Sequence, residues 1–288
     1  MVKTNNKVST MNKHFFVSVL LGITMLYMLA TSQNLFAQKM TLTTSADVGR
    51  VGFGLAGEGE VTINWGDGKS DSDFLGPNST TFEHYYPREK SGPWTVTITC
   101  ANIIHLYCSR NHYTNLDLSK HPELEYLNCQ ENQLTSLDVS KNIKLKHLNC
   151  YDNEIKSLNV SNCSELKVLG CTKNQITTLD VSKNIELEEL ACYWNNLTSL
   201  DVSKNIKLKK LWCQGNQLRS LDVSNNKDLK EVHCAGNKLT YPALNALFES
   251  LPENDIKYKV ITIYDNSGVN NCDRNIAEKK GWRVSTSD

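Results

Sequence analysis

The chain has 288 residues, enough for two ordinary domains, and its 31 basic and 31 acidic side chains cancel to a formal charge of zero. A neutral chain lacks the basic field that binding to nucleic acid or to an anionic membrane surface requires. Neither partner is therefore expected, and the pattern of the sequence has to indicate the fold and the ligand class.

The first element in chain order is a predicted signal peptide, residues 1–37. Three lysines precede an apolar run at 15–30, which is short and mixed for a membrane span. Cleavage after Ser32 or after Ala37 fits the pattern, and an uncleaved anchor is the alternative. No cysteine precedes Cys100, which excludes a lipoprotein anchor at either site. We expect a secreted or cell-surface protein, or a periplasmic one, with no membrane span after cleavage.

Residues 38–100 alternate short apolar runs with Gly, Asp, Pro and Ser, a pattern that predicts a small β-sandwich. The expected strands are 40–46, 51–56, 61–65, 81–86 and 94–100. The same segment carries a W-G-D-G motif, an H-x-Y motif and a G-x-W-x-V motif, at 65–68, 84–86 and 92–96. In this order and spacing they resemble the signature of PKD-like domains. That resemblance implies that Trp65 and Tyr86 pack in the core and that Asp67 and Gly68 form a turn.

Residues 101–240 repeat one pattern every 21 residues, in seven copies of L-x-x-L-x-C-x-x-N-x-L-x-x-L-D-V-S-x-N-x-x. The cysteines of this pattern are Cys108, Cys129, Cys150, Cys171, Cys192, Cys213 and Cys234. Its asparagines are Asn111, Asn132, Asn153, Asn174, Asn195, Asn216 and Asn237. Apolar and polar residues alternate around each cysteine, which indicates a strand with one buried face. Such a strand buries its apolar side by stacking on its neighbours.

The first half of this unit matches the consensus of leucine-rich repeats, with cysteine in the third apolar position. Residues 103–240 resemble that family, which implies a solenoid with a parallel sheet on its concave face and a mostly irregular convex side. The resemblance also implies that the repeat asparagines point inward and bond the backbone of their own and adjacent turns. We expect the repeat cysteines to be small core residues, with disulfides or a metal site as alternatives.

Three cysteines lie outside the repeat register. Cys163 replaces an asparagine of the unit and is expected in the core, and the redox state and pairing of Cys100, Cys163 and Cys272 stay open. The unit also predicts a column of side chains that accept from backbone N–H groups in turns, with a calcium ladder as the alternative. Its members are Asp117, Asp138, Asn159, Asp180, Asp201 and Asp222.

Residues 241–288 leave the repeat and predict an α/β C-terminal cap. A helix is expected over 243–251, a strand over 259–264 and a second helix over 270–280. In this order, the signal peptide, the β-sandwich, the repeats and the cap resemble the secreted bacterial surface leucine-rich-repeat proteins of internalin-like architecture. The resemblance implies binding to host or neighbouring-cell surfaces, and the sequence does not name the ligand.

The candidate ligand-binding residues are the aromatic side chains that the register places on the concave face. They are Tyr107, Tyr126, Tyr151, Tyr193, Trp194 and Trp212. Small residues on two neighbouring rungs predict a shallow notch with Tyr151 on one side and Tyr193, Trp194 and Trp212 on the other. Exposed aromatic rings on a rigid surface are typical interface anchors. The alternative is that they only stabilise the sheet across its strands.

The sequence contains no phosphate-binding glycine loop and no clear pairing of a base with a nucleophile. We therefore expect a non-catalytic, monomeric binding protein that uses no cofactor and no metal. Its predicted ligand is a protein held on the concave face. A glycan-binding accessory protein, with the tyrosine and tryptophan patch as its sugar platform, is the alternative.

Overall fold

A computed structural model describes residues 37–46, 48–87 and 89–287 of the chain. The predicted signal peptide, up to residue 36, lies outside this range. Within it, fourteen strands pair into one continuous sheet, and two helices lie near the C-terminal end. The chain first forms antiparallel strands and then a parallel solenoid.

The antiparallel part contains the first six strands. They are β1 (Gln38–Thr44), β2 (Arg50–Asn64), β3 (Ser70–Leu75), β4 (Thr80–Tyr85), β5 (Thr95–Tyr107) and β6 (Tyr113–Asp117). β2 pairs with β3, β4 and β5, and β1 lies between β5 and β6. The two strands expected at 51–56 and 61–65 are the single strand β2, whose register against β5 shifts twice between Ala56 and Val61. Such irregularities let a long strand bend.

Hydrogen bonds join these six strands into one sheet rather than the two sheets expected of a sandwich. The ring centroids of Phe53 and Trp65 lie 5.5 Å apart, although a straight strand would separate these residues by roughly 40 Å. β2 therefore doubles back, and the folded sheet encloses its own core. Trp65 is fully buried, and the Tyr86 hydroxyl donates to its carbonyl oxygen at 2.8 Å. These packing roles match the PKD-like resemblance, while membership in that family stays a prediction.

The predicted boundary at residue 100 falls inside β5. The first half of β5 pairs with β1 and β2, and residues 105–107 pair with the first three-residue strand of the repeats. On its other edge the same end of β5 pairs with β2, so Tyr107 lies opposite Gly54. The first rung of the solenoid is thus hydrogen-bonded on both edges. This arrangement supplies the shielding of the solenoid end that repeat proteins need.

The solenoid is a parallel sheet of nine strands that begins with the end of β5. The others are β7 (Tyr126–Asn128), β8 (His147–Asn149), β9 (Val168–Gly170), β10 (Glu189–Ala191), β11 (Lys210–Trp212), β12 (Glu231–His233), β13 (Lys259–Thr262) and β14 (Trp282–Ser285). Up to β12 the pairing offset is 21 residues, so Leu190 lies opposite Leu211. In β7 to β12 the middle residue is buried and its neighbours are half-buried. The described chain between β7 and β12 contains turns and no helix, as expected for an irregular convex side.

The repeat asparagines, together with Asn266, form what we call the first amide column. In the central rungs the Nδ2 atom reaches carbonyl oxygens of its own and the preceding rung, and Oδ1 accepts a backbone N–H of the preceding rung. Asn174 shows the pattern: Nδ2 lies 3.0 Å from the Cys150 oxygen and 3.1 Å from the Cys171 oxygen, and Oδ1 accepts from Ile155 at 2.9 Å. The inward placement implied by the leucine-rich-repeat resemblance is what the side chains adopt.

The seven repeat cysteines point into the solenoid and are fully buried. All ten cysteines are free thiols. Burial raises the pKa of the Cys150 and Cys213 thiols to about 12. The ladder therefore consists of neutral core side chains, and Cys163 is likewise fully buried.

Cys163 belongs to what we call the second amide column, one position per repeat on the convex side. Its members are His121, Asn142, Cys163, Asn184, Asn205 and Asn226. Each of the four asparagines is fully buried, and its Nδ2 donates to two carbonyl oxygens, as Asn184 does to Val160 and Cys163 at 2.9 and 2.8 Å. Among the described residues their Oδ1 atoms have no partner.

The acidic column of the convex side accepts backbone N–H groups in its turns, as expected. Asp180 Oδ1 accepts the backbone N–H of Ser182 at 2.8 Å, and Asn159 does the same for Ser161 at 3.0 Å. The bonds from Ser182 lower the pKa of Asp180 below its usual value. Among the described residues no cluster of three His, Cys, Asp or Glu side chains suits a metal ion.

The C-terminal segment continues the solenoid rather than only closing it. Helix α1 (Tyr241–Ser250) leads to β13, and helix α2 (Asn275–Lys279) leads to β14. Both strands extend the parallel sheet, with His233 opposite Thr262. The second helix is shorter than the expected 270–280, and β14 was not expected. In the part of the chain that the structure describes, no helix has the length and apolar character needed to cross a membrane.

Candidate functional site

The concave face carries the predicted aromatic side chains, and the first rungs gather several of them into one cluster. Tyr107 and Tyr126 have ring centroids 4.8 Å apart, and Tyr126 stacks on His147 at 5.5 Å. His105 contacts both tyrosines edge-on. Tyr107 and Tyr126 therefore stabilise each other across β5 and β7, as the cross-strand alternative proposes for aromatic pairs.

Next to this cluster lies a concavity of about 400 Å³, which we call the notch. Its lining consists of Tyr126, Gln130, His147, Leu148, Asn149, Tyr151, Val168, Gly170, Thr172, Ala191 and Tyr193. The small residues on β9 and β10 form its floor, because the same columns carry larger side chains on the preceding rungs. The notch predicted between Tyr151 and Tyr193 is therefore present in the structure.

Trp194 lies outside the lining of the notch, contrary to expectation. Its backbone is in the left-handed region, with φ 51°, and its ring packs toward the next rung instead. A Cβ atom at Gly215 would come within 2.3 Å of Trp194 Cδ1. The indole thus lies over a glycine, contacts Tyr193 at 5.3 Å between ring centroids, and is 56% exposed.

Trp212 also lies outside the lining and belongs to the charged part of the concave face. The Lys210 ammonium group stands 5.4 Å from its ring centroid and forms an ion pair with Glu189 at 2.9 Å. This ion pair joins the neighbouring strands β10 and β11. Trp212 is therefore a partly covered platform beside the notch, not one of its walls.

The lining of the notch carries no formal charge near neutral pH. His147 is its one titratable imidazole, and its pKa is lowered first by burial and then by the Lys167 ammonium. Burial also raises the pKa of the Tyr126 hydroxyl, so both groups are neutral. An uncharged concavity walled by aromatic rings suits an uncharged ligand group.

Sequence reasoning missed three side chains of the notch: Gln130, His147 and Asn149. Asn149 Nδ2 donates to Gln130 Oε1 at 2.8 Å, and Asn149 Oδ1 accepts the Tyr151 backbone N–H at 3.1 Å. All three occupy outward positions of the repeat, so the register could have identified them. Thr172 shares an outward column as well, yet it is only 2% exposed because it lies at the bottom of the notch.

Neither a family model nor a curated protein matches the sequence. Solved structures do match it. The functional domain of InlJ from Listeria monocytogenes, which includes a cysteine ladder, is 29% identical, with a TM-score of 0.46 over 64% of this chain and 49% of that one. A leucine-rich-repeat protein of Leptospira interrogans is 22% identical, with a TM-score of 0.50 over 59% of this chain and 44% of that one.

Internalin C2 from Listeria monocytogenes is 19% identical, with a TM-score of 0.52 over 64% of this chain and 81% of that one. The chain spans about half the length of the InlJ domain and somewhat less than half of the Leptospira protein. At this identity the last two structures show the fold alone. The chain has the leucine-rich-repeat solenoid fold found in internalins.

Proposed function

We propose that the chain is a non-catalytic binding protein, exported or displayed at the cell surface, that holds a protein partner on its concave face. The observation that carries the proposal is the set of half-buried aromatic side chains that this face presents, Tyr151, Tyr193 and Trp212. Solenoids present extended concave surfaces to their partners, and aromatic side chains in well-packed pockets supply most of the energy of many interfaces.

The two wall tyrosines do not need each other for packing. Tyr151 and Tyr193 are two rungs apart, roughly 10 Å, with Thr172 between them. Within the described chain, the ring contact of Tyr193 is with Trp194, and Tyr151 meets the Lys173 ammonium at 5.9 Å. This separation favours anchors for a ligand over mutual stabilisation of the sheet.

The chemistry of the concave face favours binding without catalysis. The repeat thiols are buried, and their raised pKa keeps them protonated and unsuited to nucleophilic attack. The lining of the notch includes one imidazole and no carboxylate. It therefore lacks the pair of acid and base that general acid–base chemistry requires. Export rests on the predicted leader.

The test is affinity capture of cell-surface proteins by the purified chain, followed by Kd measurements on each retained protein. The double variant Tyr193→Ala with Trp212→Ala removes concave aromatic area, and Ile185→Ala with Ile206→Ala is the matched control at exposed convex positions. We expect the concave variant to bind a true partner about tenfold more weakly or worse and the control to bind like the wild type. A partner whose affinity depends only on the convex pair contradicts the proposal.

A further inference from the structure

The lining of the notch has no charged side chain, whereas the rungs that follow it carry a row of charges. Toward the C-terminal end, Glu189, Lys210 and Glu231 follow one another along one column, and Lys173 pairs with Asp152 on the flank. None of these side chains lines the notch. A ligand with a carboxylate, sulfate or ammonium group would lose its hydration among these uncharged side chains, and the Lys173 ammonium beside the Tyr151 ring is already paired with Asp152. The occupant that fits is neutral.

The same lining offers hydrogen bonds at fixed positions between the aromatic walls. Asn149 is held by Gln130 and by the Tyr151 backbone, which leaves the Gln130 amide hydrogens and the second Asn149 N–H for a ligand. The Thr172 hydroxyl, buried at the bottom of the notch, has no partner among the described residues. Apolar ring faces combined with a few fixed polar groups are the chemistry that receives a pyranose, whose C–H faces pack on rings while its hydroxyls bond amides.

A second platform lies beside the Tyr193 wall. Trp194 is 56% exposed, and its ring rests on Gly215, where no side chain stands. Gly236 on the next rung is equally bare, since the nearest atom to a Cβ placed there is the Gly215 nitrogen at 3.5 Å. An indole beside two successive glycines makes an open shelf. Tyr193, in contact with Trp194, connects the shelf to the notch.

We propose that this surface binds a neutral oligosaccharide, with one pyranose in the notch between Tyr151 and Tyr193 and the adjoining sugar on the Trp194 shelf. The proposal adds a ligand class to the concave face and rests on the proposed function only in taking that face as the binding surface. A protein side chain in the notch is the competing occupant. The observation that decides between them is the combination of an uncharged lining with amide groups that have unused donors.

The first experiment presents the purified chain to a printed array of free oligosaccharides. The neutral probes are lactose, chitotetraose, maltohexaose, cellohexaose and mannohexaose, and the acidic probes are sialyllactose and sulfated lactose. We expect retention on one or more neutral probes and none on the acidic ones. Retention on acidic probes alone, or on no probe, overturns the proposal.

The second experiment measures affinity for the retained probe with variants designed to fold. Gly170→Asn fills the floor of the notch with the residue found at the same column on the two preceding rungs, at Asn128 and Asn149. The Asn149 amide has to move by only a few tenths of an ångström, because a Cβ at Gly170 meets its Oδ1 at 3.1 Å. We expect binding to fall about tenfold or more with the thermal midpoint maintained. Unchanged affinity of the folded variant overturns the notch as the sugar site.

Two glycine substitutions, one in contact with Trp194 and one on the next rung, test the shelf. Gly215→Ala drives a methyl group into the Trp194 ring, whereas Gly236→Ala makes only ordinary van der Waals contact with the Gly215 backbone. Both positions share the same left-handed backbone, with φ 65° and 59°. We expect Gly215→Ala and Trp194→Ala to weaken probe binding about fivefold, and Gly236→Ala to leave it unchanged. Equal affinities for the two alanine variants, with Trp194→Ala also unchanged, overturn the shelf.

The two proposals fail separately. An array without binders, beside a captured protein partner that depends on the concave tyrosines, removes the sugar site and keeps the protein-binding face. An array with neutral binders, beside no captured protein, keeps the sugar site and removes the proposed protein partner.

Discussion

The two columns of buried asparagine differ in how completely their amides are bonded. In the first amide column the Asn174 amide satisfies carbonyl oxygens on two rungs and accepts a backbone N–H on the preceding one. In the second column the Asn184 amide donates twice, and its oxygen has no partner among the described residues. Asparagine thus both donates and accepts hydrogen bonds near the concave sheet, whereas on the convex side its side chain only donates them.

The sequence reflects this difference in its substitutions. Every member of the first amide column is asparagine, including Asn266 in the C-terminal segment, whereas the second column admits His121 and Cys163. A thiol can replace a donor, because Cys163 Sγ lies 3.7 Å from the carbonyl oxygens of Val139 and Asn142. It cannot replace a strong acceptor. The number of bonds that a position must make therefore decides which residues it tolerates.

The largest expected effect comes from removing a two-way amide. Asn174→Ala leaves the buried Ile155 N–H without its acceptor and removes one of the two amide donors of the Cys150 and Cys171 carbonyl oxygens, which keep Asn153 and Asn195. We expect it to cost about 2–3 kcal/mol of unfolding free energy. Asn184→Ala is the control in the second column, and it should cost about 1 kcal/mol because no N–H loses its acceptor. Urea denaturation of both variants gives the comparison. An unchanged midpoint for Asn174→Ala would contradict the account of the first column.

Much of the fold was predictable because every twenty-first residue occupies an equivalent place. The buried thiols, the inward asparagines, the Asp180 turn and the notch floor all follow from that equivalence. The rung at β13 also keeps the local pattern, with Ile261, Ile263 and Asn266 in the leucine, cysteine and asparagine positions. The strand itself was expected, but its place in the parallel sheet was not, because helix α1 lengthens the pairing offset so that His233 meets Thr262 rather than a residue 21 positions later.

Other features depend on the direction of the backbone, which the assignment of residues to equivalent repeat positions does not give. Trp194 is next to Tyr193 in sequence, but its left-handed backbone turns the ring toward Gly215 and away from the notch. The continuity of β5 across the expected boundary was hidden for a related reason. At residues 101–104 the neighbour on one edge of β5 changes from the antiparallel strand β1 to the parallel strand β7. Local apolar spacing does not distinguish the two kinds of neighbour.

A second prediction uses the histidine of the second amide column. Burial lowers the pKa of His121 from 6.5 to about 4, with Asp117 opposing the shift. The unfolded chain therefore binds a proton below pH 6.5 that the folded chain refuses until about pH 4, so stability is lost as the pH falls through this window. His121→Asn, which restores the residue of the other rungs, removes this loss. We expect a relative gain of about 2 kcal/mol at about pH 5 over about pH 7.5.

Urea midpoints of wild type and variant at the two pH values provide the measurement. The mutation Asp180→Asn is a suitable control, because Asn159 shows that the amide keeps the turn and because this exposed carboxylate titrates below the window. Parallel pH profiles for the wild type and His121→Asn would show that the buried imidazole does not couple to folding.

The smallest expected effect comes from placing the same residue, cysteine, in each of the two columns. Asn184→Cys copies the Cys163 position on the next rung, and we expect it to cost less than about 1 kcal/mol, since a weak S–H donor still faces the two carbonyl oxygens. Asn174→Cys should cost about 2 kcal/mol, because a thiol is a poor acceptor for the Ile155 N–H. Equal costs in the two columns, measured by the same urea titration, would mean that bond number does not set their tolerance.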